Sequence, residues 1–156
     1  MTLKFLEINR RRMLALCGGV CAFFGVGAPS ASFATARLRD AMNSIIGGRE
    51  VRDGRVVLDI ADITENGASV LVGVQVDSPM TDADHVTAVH LFAELNPDVE
   101  VISFRLTPMA GKIDIITRIR LAQSQTVHAI AEMNDGSVYV AKKYTTVTIG
   151  GCGGGN

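Results

Sequence analysis

Residues 113–121 read Ile113-Asp114-Ile115-Ile116-Thr117-Arg118-Ile119-Arg120-Leu121. Ile113, Ile115, Thr117, Ile119 and Leu121 fall on one face at a spacing of two, while Asp114, Arg118 and Arg120 fall on the other, which is the period of a half-buried strand. The same period recurs elsewhere: Val70, Val72, Val74 and Val76 share a face, as do Val89, Leu91, Ala93 and Leu95, and again Val127, Ala129, Ala131 and Met133. Turn signals separate these runs at near-regular intervals, among them Glu65-Asn66-Gly67, Asp77-Ser78-Pro79, Asn96-Pro97-Asp98, Gln123-Ser124 and Asn134-Asp135-Gly136. The outward faces carry Arg118, Arg120, His128 and Glu132, but Ile116 and Ile130 interrupt them. These two isoleucines form a candidate partner surface, or else both lie under a loop or helix.

Short runs with such turns predict a mainly β fold, an immunoglobulin-like antiparallel β-sandwich of about seven strands. One short helix precedes it. Leu38, Met42, Ile45 and Ile46 recur at helical spacing within Ala36–Ile46, and Gly47-Gly48 supplies a stop. The chain therefore divides into residues 1–34, a body at 35–149 and a glycine-rich tail at 150–156.

The first part reads as an export address. Arg10, Arg11 and Arg12 precede sixteen uncharged residues, Met13 to Ala28, and small residues follow. This is the order of a cleaved signal peptide, and the apolar run falls short of the roughly 20 residues a membrane span needs. Arg10-Arg11, one further residue, then Met13-Leu14 resembles the twin-arginine signal. Cleavage after Ala34 or Ala36 would remove Cys17 and Cys21 and leave Cys152 as the sole cysteine; Leu16 and Val20, preceding the first two, do not suit a lipoprotein site.

Charge and composition narrow the function classes. Of 156 residues, 47% are hydrophobic and 5% aromatic. The first 33 residues hold four of the 15 basic side chains but one of the 16 acidic ones, so the remainder is acidic. Nucleic-acid binding needs clustered Lys and Arg and is disfavoured. His85, His90 and His128 show no close ligand spacing, and Asp82-Ala83-Asp84 lacks the spacing of a calcium loop, so no metal site and no cofactor are expected. GxSxG, Walker and GxGxxG patterns are absent.

The tail holds the remaining chemistry. Gly150-Gly151-Cys152-Gly153-Gly154-Gly155-Asn156 surrounds one thiol with five glycines. Without Cβ atoms such a segment is thin and mobile, and from Ile149 it can carry the thiol about 10 Å, at roughly 3.5 Å per residue. Catalytic thiols are activated by a neighbouring cation, histidine or helix N-terminus, and none adjoins Cys152 in sequence. Gly150, Gly151, Gly153 and Gly154 thus read as a flexible arm and Cys152 as a point of covalent substrate attachment. Two other readings stay open: a thiol-dependent sulfurtransferase, and a structural module crosslinked through Cys152.

Thr148-Ile149-Gly150-Gly151-Cys152-Gly153-Gly154, together with Val76-Asp77-Ser78-Pro79-Met80, Thr117–Ala122 and Ala131–Tyr139, resembles the SoxY family of the bacterial sulfur-oxidising Sox system. The resemblance implies a periplasmic carrier, not itself an enzyme, on whose Cys152 thiosulfate-derived intermediates are held. It implies a heterodimer with the companion subunit SoxZ. It also implies three enzymes acting on the carrier: a haem-containing conjugating enzyme, a dimanganese sulfate-releasing hydrolase and a sulfane dehydrogenase. Their metals would belong to those partners.

Overall fold

Alternation along the strands sorts the apolar side chains into a single interior. The structure, a computed structural model, describes residues 31–151. Arg10, Arg11, Cys17, Cys21, Cys152, Gly153 and Gly154 lie outside the described residues. Helix α1 (Ala31–Ile46) is followed by β1 (Val51–Arg52), β2 (Val56–Ile60), β3 (Ile63–Asn66), β4 (Val70–Val76), β5 (Val86–Ala93), β6 (Glu100–Arg105), β7 (Ile113–Ile119), β8 (Gln125–Met133) and β9 (Val138–Ile149). A three-stranded sheet, in the order β2-β4-β7, faces a six-stranded one, in the order β1-β9-β8-β5-β6 with β3 also on β9. Val70, Val72, Val74 and Val76 meet Val89, Leu91, Ala93, Val127, Ala129, Ala131 and Met133 in the core between the sheets. Each fully buried aliphatic side chain there contributes on the order of 1.5–3 kcal/mol.

The mainly β sandwich behind an N-terminal helix agrees with the periodicity. Two details differ. Nine strands are present among the described residues, because β1 and β3 span only two and four residues with no buried position between them. Strands that bury nothing carry no alternation to read. Both pair parallel to β9, which at twelve residues outlasts its antiparallel pairing with β8 and leaves an edge to fill. The helix also starts earlier than Ala36, at Ala31, and ends where Gly47 and Gly48 adopt φ of 60° and 79°, left-handed values that favour glycine.

The helix explains the fate of the two isoleucines. Leu38 and Ile46 of α1 pack with Phe92, Ile130 and Val138 on the far side of the six-stranded sheet, a second small core. Ile130 is therefore 0% exposed, whereas Ile116, on β7 of the other sheet, is 70% exposed. They form no common surface. The expectation for Ile130 is corrected: β8 is sandwiched between the main core and α1, so both its faces take apolar residues.

Polar groups on this helix-covered side are held in a chain. Glu132 accepts from Arg49 and lies 2.9 Å from His90 Nε2, while His90 Nδ1 is 2.7 Å from Ser103 Oγ. Burial pushes the Glu132 carboxyl up, but its bonds to Arg49 and His90 outweigh this and hold it below its usual 4.5. His128 has no such partners. Burial, with Lys142 adding to it against the opposing pull of Glu94, lowers it from 6.5, and its buried Nε2 has no hydrogen-bond partner among the described residues.

A pH dependence with a definite sign follows. The folded state keeps His128 neutral while the unfolded chain takes up a proton, so stability is full above 6.5 and is lost as pH falls toward the lower folded value. Below 4.5 Glu132 adds a second loss, because its folded-state carboxyl resists the proton that the unfolded chain accepts. Urea midpoints should fall between pH 7.5 and 5 in the native sequence and fall less over that range in His128→Leu.

Candidate functional site

Two turns and the end of β9 build the place from which the glycine-rich tail departs. At the first turn Asn66 Oδ1 accepts from the Ala68 N–H at 2.8 Å, closing the loop around Gly67. The second turn, Leu121–Gln125, is fastened from inside by Asn96, which is 8% exposed. Asn96 Nδ2 donates to the Arg120 carbonyl at 2.8 Å, and its Oδ1 accepts from the Ala122 N–H and from Gln125 Nε2, each at 2.9 Å. Ser124 Oγ accepts from the Val147 N–H at 2.9 Å and ties the turn to β9.

The tail root lies between these turns. The Gly67 N–H donates to the Ile149 carbonyl at 2.7 Å, the Leu121 N–H to the Gly67 carbonyl at 2.8 Å, and the Gly151 N–H to the Leu121 carbonyl at 2.8 Å. Every one of these bonds is main chain to main chain. Side chains would not fit: a Cβ on Gly150 would stand 2.2 Å from the Ala122 carbonyl oxygen, and one on Gly151 would stand 2.2 Å from the carbonyl carbon of Gly67. Gly150 and Gly151 are thus not part of a free arm, which corrects the reading from composition. Glycine there permits close approach.

Beside this clasp, Asn96, Pro97, Asp98, Arg118, Ile119 and Arg120 line a cavity of about 350 Å³. Arg118 donates to Ser69 Oγ at 3.3 Å, and among the described residues neither Arg118 nor Arg120 is ion-paired with a carboxylate. Two arginines and one aspartate, Asp98, thus share the lining of this cavity.

The other candidate ligands are dispersed. His85 Nδ1 is 2.9 Å from the Thr81 carbonyl, His90 belongs to the Glu132 chain, and His128 stands alone. Asp84 is held by both terminal nitrogens of Arg55 at 3.1 and 2.7 Å, with Arg55 stacked over the Tyr139 ring. No three His, Cys, Asp or Glu residues gather into a metal-binding group among the described residues. Gly67, Asn96 and Leu121 were not legible as site residues. Their only sequence signal is that Glu65-Asn66-Gly67 and Asn96-Pro97-Asp98 read as turns.

Comparison with known proteins decides the family. The model of the sulfur oxidation protein SoxY matches residues 42–152, from the last five residues of α1 through the β-sandwich to the tail cysteine. The chain belongs to the SoxY family. A solved structure of the sulfur carrier protein SoxY from Chlorobium limicola f. thiosulfatophilum is similar at 26% identity, with a TM-score of 0.61, over 73% of this chain and 98% of that one. Superoxide reductases share the sandwich. That of Ignicoccus hospitalis aligns at 19% identity and TM-score 0.53 over 60% of this chain and 80% of its own. A putative one from Thermotoga maritima aligns at 19% and 0.50 over 66% and 89%. At such identities the likeness is one of fold alone. Comparison with curated proteins finds no match. For a SoxY family member, the clasp lies at the end of the matched region, one residue before Cys152.

Proposed function

We propose that this chain is a periplasmic sulfur carrier that holds thiosulfate-derived intermediates covalently on Cys152 and presents them to separate enzymes. The observation that carries the reading is the family match running through the whole sandwich to Cys152. The solved SoxY structure that the fold resembles is itself described as a sulfur carrier protein. The geometry supports the same role: a main-chain clasp holds the residue before the thiol.

In the loading step, the Cys152 thiol loses its proton, and it and thiosulfate together give up two electrons to the haem-containing conjugating enzyme. The new bond joins the two sulfurs. Hydrolysis by the dimanganese enzyme then adds water, releases sulfate and leaves a sulfane sulfur on Cys152, which the sulfane dehydrogenase would oxidise. SoxZ is the companion subunit in this reading. Ile116, with Val57 and Leu71 on the same sheet face, all three exposed among the described residues, is the place to test for its contact.

The deciding experiment is the intact mass of the protein taken from its native periplasm without reductant. A mass increase localised to the tail peptide, and reversed by a thiol reductant, is expected. Mature protein of unmodified mass throughout active oxidation would remove the carrier role. Export has its own test. Replacing Arg10 and Arg11 together by Lys should trap the precursor in the cytoplasm, while unchanged periplasmic yield would reject the twin-arginine route.

A further inference from the structure

Gly67 lies far from Gly151 in sequence, yet the two are in contact through main-chain atoms. A Cβ on Gly67 would stand 2.3 Å from the Leu121 carbonyl oxygen and 2.8 Å from both the Gly151 nitrogen and Val147 Cγ1. A Cβ on Gly151 would stand 2.3 Å from the Ala68 nitrogen and the Gly67 oxygen. Gly67 is not among the residues with positive φ, so its backbone suits any amino acid. Space, and not conformation, demands glycine there.

We infer that Gly67 is a positioning residue for Cys152: its missing side chain lets the β3–β4 turn close on Gly151, so the chain is fastened up to the residue before the thiol and not only up to Ile149. This rests on the carrier reading of Cys152. The two jaws are fixed independently of the tail. Thr64 and Asn66 of β3 pair with Val147 and Ile149 of β9, and Asn96 and Ser124 brace the Leu121–Gln125 turn. Gly150 and Gly151, by contrast, are held only by the clasp. A methyl group at position 67 meets the Leu121 carbonyl oxygen at 2.3 Å and the Gly151 nitrogen at 2.8 Å, so it parts the two turns and with them the Leu121–Gly151 bond that holds the tail root.

Release unfastens two residues ahead of Cys152, about 7 Å of chain at roughly 3.5 Å per residue. A longer, freer arm spreads the thiol over a larger volume and lowers its effective concentration in a partner's channel. Misplacement of about 1 Å costs on the order of a hundredfold in rate. A loss of tenfold or more in kcat/KM for the carrier is expected once the root is free.

The test compares the native protein with Gly67→Ala and with Gly151→Ala. The second variant alters only the tail, so it cannot unfold the sandwich and serves if the first folds poorly. Amide hydrogen exchange of Gly151 should be slowed in the native protein and at least tenfold faster in both variants. Alkylation of Cys152 by iodoacetamide should stay within about twofold, because no activating group is touched. Thiosulfate-dependent turnover in the reconstituted system should drop tenfold or more in kcat/KM in both variants, and in Gly151→Ala at unchanged melting temperature. Free exchange of Gly151 in the native protein, continued protection in both variants, or native turnover after the amide is freed would each overturn the inference. Failure of the carrier reading is distinguishable: native Cys152 would then form no thiosulfate adduct, removing the positioning role whatever the exchange rates show.

Discussion

Cys152→Ser should abolish the sulfur adduct and reduce thiosulfate-dependent turnover to background while leaving the fold unchanged. A serine hydroxyl cannot form the sulfur–sulfur bond that loading requires, and its oxygen is not oxidised by a two-electron acceptor as a thiolate is. Both hydrophobic cores are closed by side chains between Leu38 and Val147, none of which the substitution alters. The thermal midpoint and circular dichroism of Cys152→Ser should therefore match those of the native protein. Intact mass after incubation with thiosulfate and the conjugating enzyme should show no addition. Retained oxidation in the variant would place the chemistry elsewhere and remove the carrier assignment.

Ile130→Asp should cost about 4 kcal/mol or more, a large part of the roughly 5–15 kcal/mol available to a domain of this size. Ile130 is 0% exposed and sits between β8 and α1 beside Leu38, Phe92 and Val138. Removing a buried isoleucine side chain leaves a cavity worth roughly 2–5 kcal/mol, and a carboxylate at that position adds an unpaired buried charge. Equilibrium unfolding in urea measures the loss, and release of the helix should accompany it. Ile116→Asp is the contrast. At 70% exposure it should shift stability by less than about 0.5 kcal/mol, so weaker binding to the proposed companion subunit SoxZ in that variant would report contact and not misfolding. Equal affinity would remove Ile116 from the interface.

The contrast between these isoleucines shows how far the linear pattern reaches. Both sit at outward positions of their strands by the period of two, and nothing local distinguishes them. What separates them is the layer above: α1 covers one sheet and, among the described residues, no helix covers the other. The acidic turn behaves similarly. Asp82 and Asp84 read as one cluster, yet Asp84 is bound by Arg55, which the β2–β4 pairing brings alongside.

Sequence by itself determined the β class of the body, because a strand half-buried in a core must alternate, as Val70–Val76 and Val127–Met133 do. It also determined the stop at Gly47-Gly48 and the isolation of one cysteine among glycines, since both are properties of adjacent residues. The tertiary structure alone decided that Gly150 and Gly151 are clasped and that Gly67 must be glycine. Residues 67, 121 and 151 meet only because β3 and β8 both register against β9 and so carry their turns to its end. Contacts between main-chain atoms leave no side-chain pattern, and so no trace in a sequence, other than the absence of a side chain at each point of approach.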